Sequence, residues 1–131
     1  MKYLLDSNAV IAMFRDLHHM REAILKVGFD KCSVSEITLA ELFVGAYKTN
    51  YASHIHEIRF INEHFAVLPI SGAIEKYAEI RAELEKSGCR LDNFDLLIAA
   101  TAIDTNRTLV THNTRHFKRI PGLKLTDWEQ D

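Results

Sequence analysis

Two cysteines, two prolines and five glycines are all that this 131-residue chain holds of three structure-limiting residue types. Cys32 and Cys89 stand far apart and outside any CxxC grouping. That excludes a disulfide framework and a cysteine-built zinc site, and predicts two free thiols in a reducing cytosol. There is no linker, repeat or low-complexity stretch. No apolar run approaches the roughly 18 residues of a membrane span. Only one lysine and a short apolar run precede Asp6, which is not a signal peptide. A cytoplasmic protein with no membrane partner is expected. Neither sign of charge dominates: 16 Lys and Arg against 18 Asp and Glu leave a net charge of −2. That gives no whole-molecule footprint for nucleic acid, although a local basic rim stays open. Phosphate-binding GxxxxGK[ST] and GxGxxG loops, the HExxH metal motif and a GxSxG nucleophile elbow are all missing.

What is present is ordinary globular material: 47% hydrophobic and 26% charged residues. A chain of this length buries roughly two-thirds of its unfolded surface without staples. One domain spanning 1–131 is expected. Tyr3, Leu4 and Leu5 show no polar alternation, the mark of a strand covered on both faces. Ser7 or Asn8 is the expected N-cap of a helix over 9–14. A helix over 18–27 follows, with Met20, Ile24 and Val27 on one face and Gly28 as its stop. A strand over 30–34 leads to Ser33-x-x-Glu36, a capping-box pattern that opens a helix reaching about residue 47. Leu39, Leu42, Phe43 and Ala46 form its apolar stripe.

Further helices are predicted over 52–65, 73–86 and 94–105, with strands over 66–70, 108–111 and 124–126. Residues 112–117 read as a loop or short helix. The helix over 94–105 is apolar almost all round, so it is predicted to be buried. Strands alternating with helices predict an α/β fold: a three-layer α/β/α sandwich with a central parallel sheet of four to five strands. The carboxyl ends of parallel strands share one edge, where open α/β sheets bind ligands.

Three acids are predicted to reach that edge. Asp6 ends the first strand. Glu41 lies in the second turn of the helix after the second strand. Asp95 opens the buried helix. Glu41 is flanked by Ala40 and Leu42, and Asp95 by Phe94 and Leu96. Carboxylates in such surroundings are costly unless paired, hydrogen-bonded or bound to metal. Glu36 lies about 140° round the helix from Glu41 and reads as a capping residue. Asp92 reads as a loop acid or N-cap. An all-oxygen carboxylate cluster selects hard cations, Mg²⁺ or Mn²⁺. His54 and His56 fall on different faces of a helix and cannot share an ion.

These pieces resemble the PIN-domain ribonucleases, and among them the VapC-type toxins of bacterial toxin–antitoxin pairs. The matching residues are Leu4-Leu5-Asp6-Ser7-Asn8, then Ser35 to Leu42 followed by Gly45, then Asp95 to Ala102. Leu109-Val110-Thr111-His112-Asn113, His116-Phe117, Leu123-Lys124-Leu125 and Trp128 complete the set. They run in order through nearly the whole chain. The resemblance implies a PIN-like parallel sandwich and endonucleolytic hydrolysis of RNA with Mg²⁺ or Mn²⁺. It also implies a homodimer and a cognate antitoxin whose tail covers the active site. The family's acids carry over onto Asp6, Glu41 and Asp95. A further acid often follows the fourth strand, and here Asn113 and His116 stand instead. Asn113 can still ligate metal through its carbonyl oxygen or hold a water.

In this reading Asp6 and Asp95 hold the first ion, and Glu41 is a ligand or accepts from the attacking water. Thr111 and Asn113 orient water or phosphate. Arg115, Lys118 and Arg119 offer a basic rim for the RNA backbone. The alternative is a non-catalytic PIN-like module that binds RNA or a partner. A receiver-like domain would need an acceptor aspartate after its third strand, and residues 66–72 offer none.

Overall fold

The computed structural model describes residues 1–129. Five short strands, β1 (Tyr3–Leu5), β2 (Cys32–Ser35), β3 (Ala66–Leu68), β4 (Thr108–Val110) and β5 (Leu125–Thr126), form one sheet. All pairings are parallel and the order is β3-β2-β1-β4-β5. Leu4 sits opposite Ser33 on one side and Leu109 on the other. Because side chains alternate along a strand, Leu4 and Leu5 face opposite layers, and both are wholly buried.

Leu4 packs with Leu109, Ile98, Ala99 and Phe117 in one core. Leu5 packs with Val10, Ile24, Val34, Ile61 and Val110 in the other. The helices are α1 (Ser7–Phe14), α2 (Met20–Val27), α3 (Glu36–Lys48), α4 (Tyr51–His64), α5 (Ile74–Lys86), α6 (Asn93–Asp104) and α7 (Thr114–Phe117). Residues of α1, α2 and α4 build the Leu5 core, and those of α5, α6 and α7 the Leu4 core. The result is the expected three-layer α/β/α sandwich, with the sheet at the upper end of the predicted strand count. Ala99, Ala100 and Ala102 of α6 are fully buried, so small side chains let this helix approach the sheet closely.

Connections from β1 run outward through β2 to β3, then return across β1 to β4 and β5. The direction of winding therefore reverses between β1 and β4. A crevice opens at such a switch point, outside the carboxyl ends of the strands.

Three local expectations change. Helix α1 starts at Ser7, and Asp6, not Ser7 or Asn8, caps it with a carboxylate oxygen 2.8 Å from Ala9 N. The cap of α3 is Ser35, which accepts from Ile37 N, so the Ser33-x-x-Glu36 capping box does not form. Ser33 instead donates to Tyr3 O, locking β2 to β1, and Glu36 accepts from Ile70 N at 2.7 Å. The helix expected from residue 18 begins at Met20, because Asp16, His18 and His19 adopt left-handed backbone. Each such residue costs on the order of 1 kcal/mol. Arg21 offsets that by donating to the carbonyls of Met13 and Phe14. Gly28 does end α2, at φ 102°.

Candidate active site

Asp6 sits where β1 becomes α1, beside the switch point. Its amide donates to Val110 O, tying it to β4. The side chain is 5% exposed. Burial raises its pKa above the ordinary carboxylate value, and the charges of Asp95 and Glu129 push the same way. Hydrogen bonds from Thr111 and from the Ala9 amide pull it back only in part.

Glu41 reaches the same edge from α3. Ser7, the first residue of α1, donates its hydroxyl to Glu41 Oε1 at 2.7 Å and lies 3.0 Å from Thr38 Oγ1. The residue after Asp6 thus fixes the Glu41 carboxylate, so both acids are positioned by one helix start. Glu36 points away to Ile70, which leaves Glu41 as the acid of this helix at the candidate site.

Asp95 lies in the first turn of α6. Asp92 is the N-cap there, accepting from the amides of Phe94 and Asp95. Burial raises the Asp95 pKa and the charge of Asp92 adds to it, while His116 opposes both. The His116 ring nitrogen Nε2 is 3.3 Å from Asp95 Oδ2. It is shielded from solvent and lacks an aligned hydrogen-bond partner.

Thr111 is buried just past β4, and its hydroxyl oxygen accepts from Asn113 N. Asn113 itself is exposed, and its side chain makes no capping bond to α7. It stands at the rim rather than among the acids. Arg115, Lys118 and Arg119 are exposed on α7 and the residues after it, and Arg119 points to Cys89 Sγ at 3.2 Å.

His54, His112 and His116 are paired with acids. His54 is bound to Glu57 at 2.8 Å. His112 pairs with Asp127 and His116 with Asp95. Among the described residues, one group of three potential ligands is close enough to share an ion: His112, Asp127 and Glu129, whose ligand atoms lie within 4.8 Å. Asp6, Glu41 and Asp95 are not gathered that tightly; of this group, the charge of Glu129 adds to the rise in the Asp6 pKa. Asp127 and Glu129 were missed in the sequence. Their only signal there is a pair of acids flanking Trp128, whose ring packs edge-on against Tyr3 at 4.8 Å.

The donor set fits a divalent cation. Two desolvated carboxylates are costly unless a positive charge joins them, the charge of Asp95 raises the pKa of Asp6, and the His116 ring stands beside Asp95. Oxygen donors dominate, which suits Mg²⁺ or Mn²⁺.

A family model described as PIN domain matches residues 3–123. The chain belongs to the PIN-domain family. Across 135 aligned residues this PIN domain is 33% identical to Ribonuclease VapC2 of Rickettsia felis, with 99% of this chain and 100% of that protein covered. It is 31% identical to a tRNA(fMet)-specific endonuclease VapC of Shigella flexneri, with 98% of each covered. In three dimensions it resembles a chain of the Rickettsia felis VapBC2 complex bound to promoter DNA, at a TM-score of 0.89 and 31% identity over 98% of this chain and 100% of that one. A chain of the DNA-bound VapBC complex of Salmonella typhimurium gives 0.88 and 32%, with 98% of each covered.

Proposed function

We propose that this PIN domain is a divalent-metal-dependent endoribonuclease that hydrolyses RNA phosphodiester bonds as the toxin of a toxin–antitoxin pair. The names of full-length relatives at 31–33% identity support the activity. The resemblance to VapBC complexes supports an antitoxin partner. The observation that carries the chemistry is the burial of Asp6 at the switch point of the sheet, where the charge of Asp95 adds to the rise in its pKa. Asp6 and Asp95 would hold Mg²⁺ or Mn²⁺. A bound cation supplies Lewis-acid activation of water and neutralises charge on the phosphate. Glu41, steadied by the Ser7 hydroxyl, accepts the proton of the attacking water at its carboxylate. Thr111 keeps Asp6 oriented, and Asn113 at the rim orients the phosphate. Arg115 and Lys118 line the approach of the RNA backbone.

An apolar groove of about 430 Å³, lined by Met13, Phe14, Ile24, Leu25, Phe29 and Phe60, runs between α1, α2 and α4. It shares Phe14 and Glu57 with a second groove that reaches Glu41. An antitoxin segment laid along both ends at the active site. The chain acts as a homodimer in the cytoplasm; among the described residues no helix is long and apolar enough to cross a membrane.

The test is cleavage of purified RNA, beginning with tRNA, by wild-type protein and Asp6→Asn in Mg²⁺, Mn²⁺ or EDTA. Cleavage with metal only, lost in Asp6→Asn while the fold persists, is expected. Metal-dependent cleavage retained by Asp6→Asn would sink the site assignment, and RNA binding without cleavage would identify a non-catalytic module.

A further inference from the structure

We propose that Phe94 is a stacking platform for one nucleobase of the RNA beside the bond that is cut, with Asn93 and Arg90 taking the phosphate attached to it. This rests on the ribonuclease reading above. Exposure singles the ring out. Of seven phenylalanines, Phe94 alone is exposed, at 46%, and it belongs to neither core. Folding gains little from a ring left in water, and its face is open to a ligand. Position ties the ring to the candidate site. Phe94 immediately precedes Asp95 in the first turn of α6. The Cα–Cβ bonds of a helix tilt toward its N-terminus, so both side chains lean toward the same end. The Asp92 carboxylate accepts from the amides of both residues and holds that turn. Every base has a π face, so an aromatic ring beside the cut takes single-stranded RNA without reading base edges.

A chain of polar side chains runs next to the ring. Arg81 Nη1 donates to Tyr77 Oη at 2.9 Å, and Tyr77 in turn donates to Asn93 Oδ1 at 3.1 Å. With Oδ1 engaged, Asn93 presents its Nδ2 amide as a donor, and a phosphate oxygen accepts. A cavity of about 150 Å³ lies here, and Arg81, Glu85, Arg90 and Asn93 are among its walls. Glu85 is 3.4 Å from Arg81 and takes up that charge. Arg90 is exposed and has no ion pair among the described residues. Its guanidinium matches the geometry of a phosphate. A base inside a duplex has both faces covered by its neighbours, so the occupant is an unpaired segment of RNA.

Cleavage of a tRNA transcript in Mg²⁺ is followed at steady state, after the cut is mapped, for wild type, Phe94→Tyr, Phe94→Leu and Arg90→Ala. Further transcripts carry an abasic nucleotide at each position flanking the cut in turn. One abasic position is expected to raise the wild-type KM about tenfold or more. Phe94→Leu should raise KM by a similar factor on the intact transcript, and the abasic nucleotide should then cost it nothing further. Phe94→Tyr, which keeps the ring, should behave as wild type. Arg90→Ala should lower the slope of log KM against log salt by about 0.7, the share of one single-strand phosphate. An intact-transcript KM unchanged in Phe94→Leu, or an abasic penalty equal in wild type and Phe94→Leu, overturns the stacking role and leaves the ribonuclease reading standing. An unchanged salt slope in Arg90→Ala overturns the phosphate contact. Wild type that cuts neither tRNA nor total RNA overturns both this proposal and the reading beneath it. The wild-type abasic series decides even if Phe94→Leu does not fold, because a series with no penalty at any flanking position overturns the stacking role.

Discussion

Asp6 has two jobs that a pair of substitutions separates. Asn keeps an acceptor for Ala9 N and removes the charge, while Ala removes both. Asn and Asp are about equally good N-caps, and loss of the cap costs about 1–2 kcal/mol. For a chain of 131 residues, 1 kcal/mol shifts Tm by about 3–5 °C. Asp6→Ala is therefore expected to melt about 3–10 °C below Asp6→Asn. The comparison of wild type with Asn isolates the charge. Burial raises the folded pKa of Asp6 above its ordinary value of 3.8. Stability from this group is thus present below about pH 4 and lost as pH rises through the folded value. Asp6→Asn escapes that loss, so its Tm should exceed that of wild type near pH 7.5 and the gap should close near pH 4. The assay is thermal melting by circular dichroism in EDTA at both pH values. An Asn variant less stable than wild type at neutral pH, or an advantage that shrinks as pH rises, refutes the desolvated-carboxylate argument.

Asp92→Ala should lower stability by about 1 kcal/mol through loss of the α6 cap, and lower the Asp95 pKa, read by carboxyl ¹³C NMR titration. Ser7→Ala should reduce RNA cleavage about tenfold with a small change in Tm, because it frees Glu41 without touching the core; single-turnover rates check this. Burial pushes the Cys32 thiol up to about 11, so native protein should react with one equivalent of a disulfide reagent, at Cys89, and denatured protein with two.

The layers of the fold were legible because they are written in local patterns. Leu4-Leu5 without alternation specified a doubly covered strand, and the all-round apolar run of α6 specified a buried helix. Asp6, Glu41 and Asp95 stood out as acids among apolar neighbours. Two of the misread positions, Ser33 and Glu36, depend on partners distant in sequence. Ser33 had the spacing of a cap, but the Tyr3 carbonyl on the adjacent strand claimed its hydroxyl. Glu36 found the Ile70 amide, 34 positions away. The start of α2 moved because Asp16, His18 and His19 take left-handed backbone, which the bonds of Arg21 to the end of α1 offset. No short window of sequence holds both halves of the Ser33 and Glu36 contacts. The same holds for Asp127 and Glu129, which meet His112 only after β5 pairs with β4.

The reversal of strand order at β1 also sets a timetable for synthesis. The apolar groove is encoded by residues up to Phe60, whereas the candidate site includes Asp95 and Thr111. A ribosome delivers the first segment before the second. At about 5–20 residues per second, the 35 residues from 60 to 95 take roughly 2–7 s. The residues that line the groove are therefore made before Asp95 and Thr111 of the candidate site.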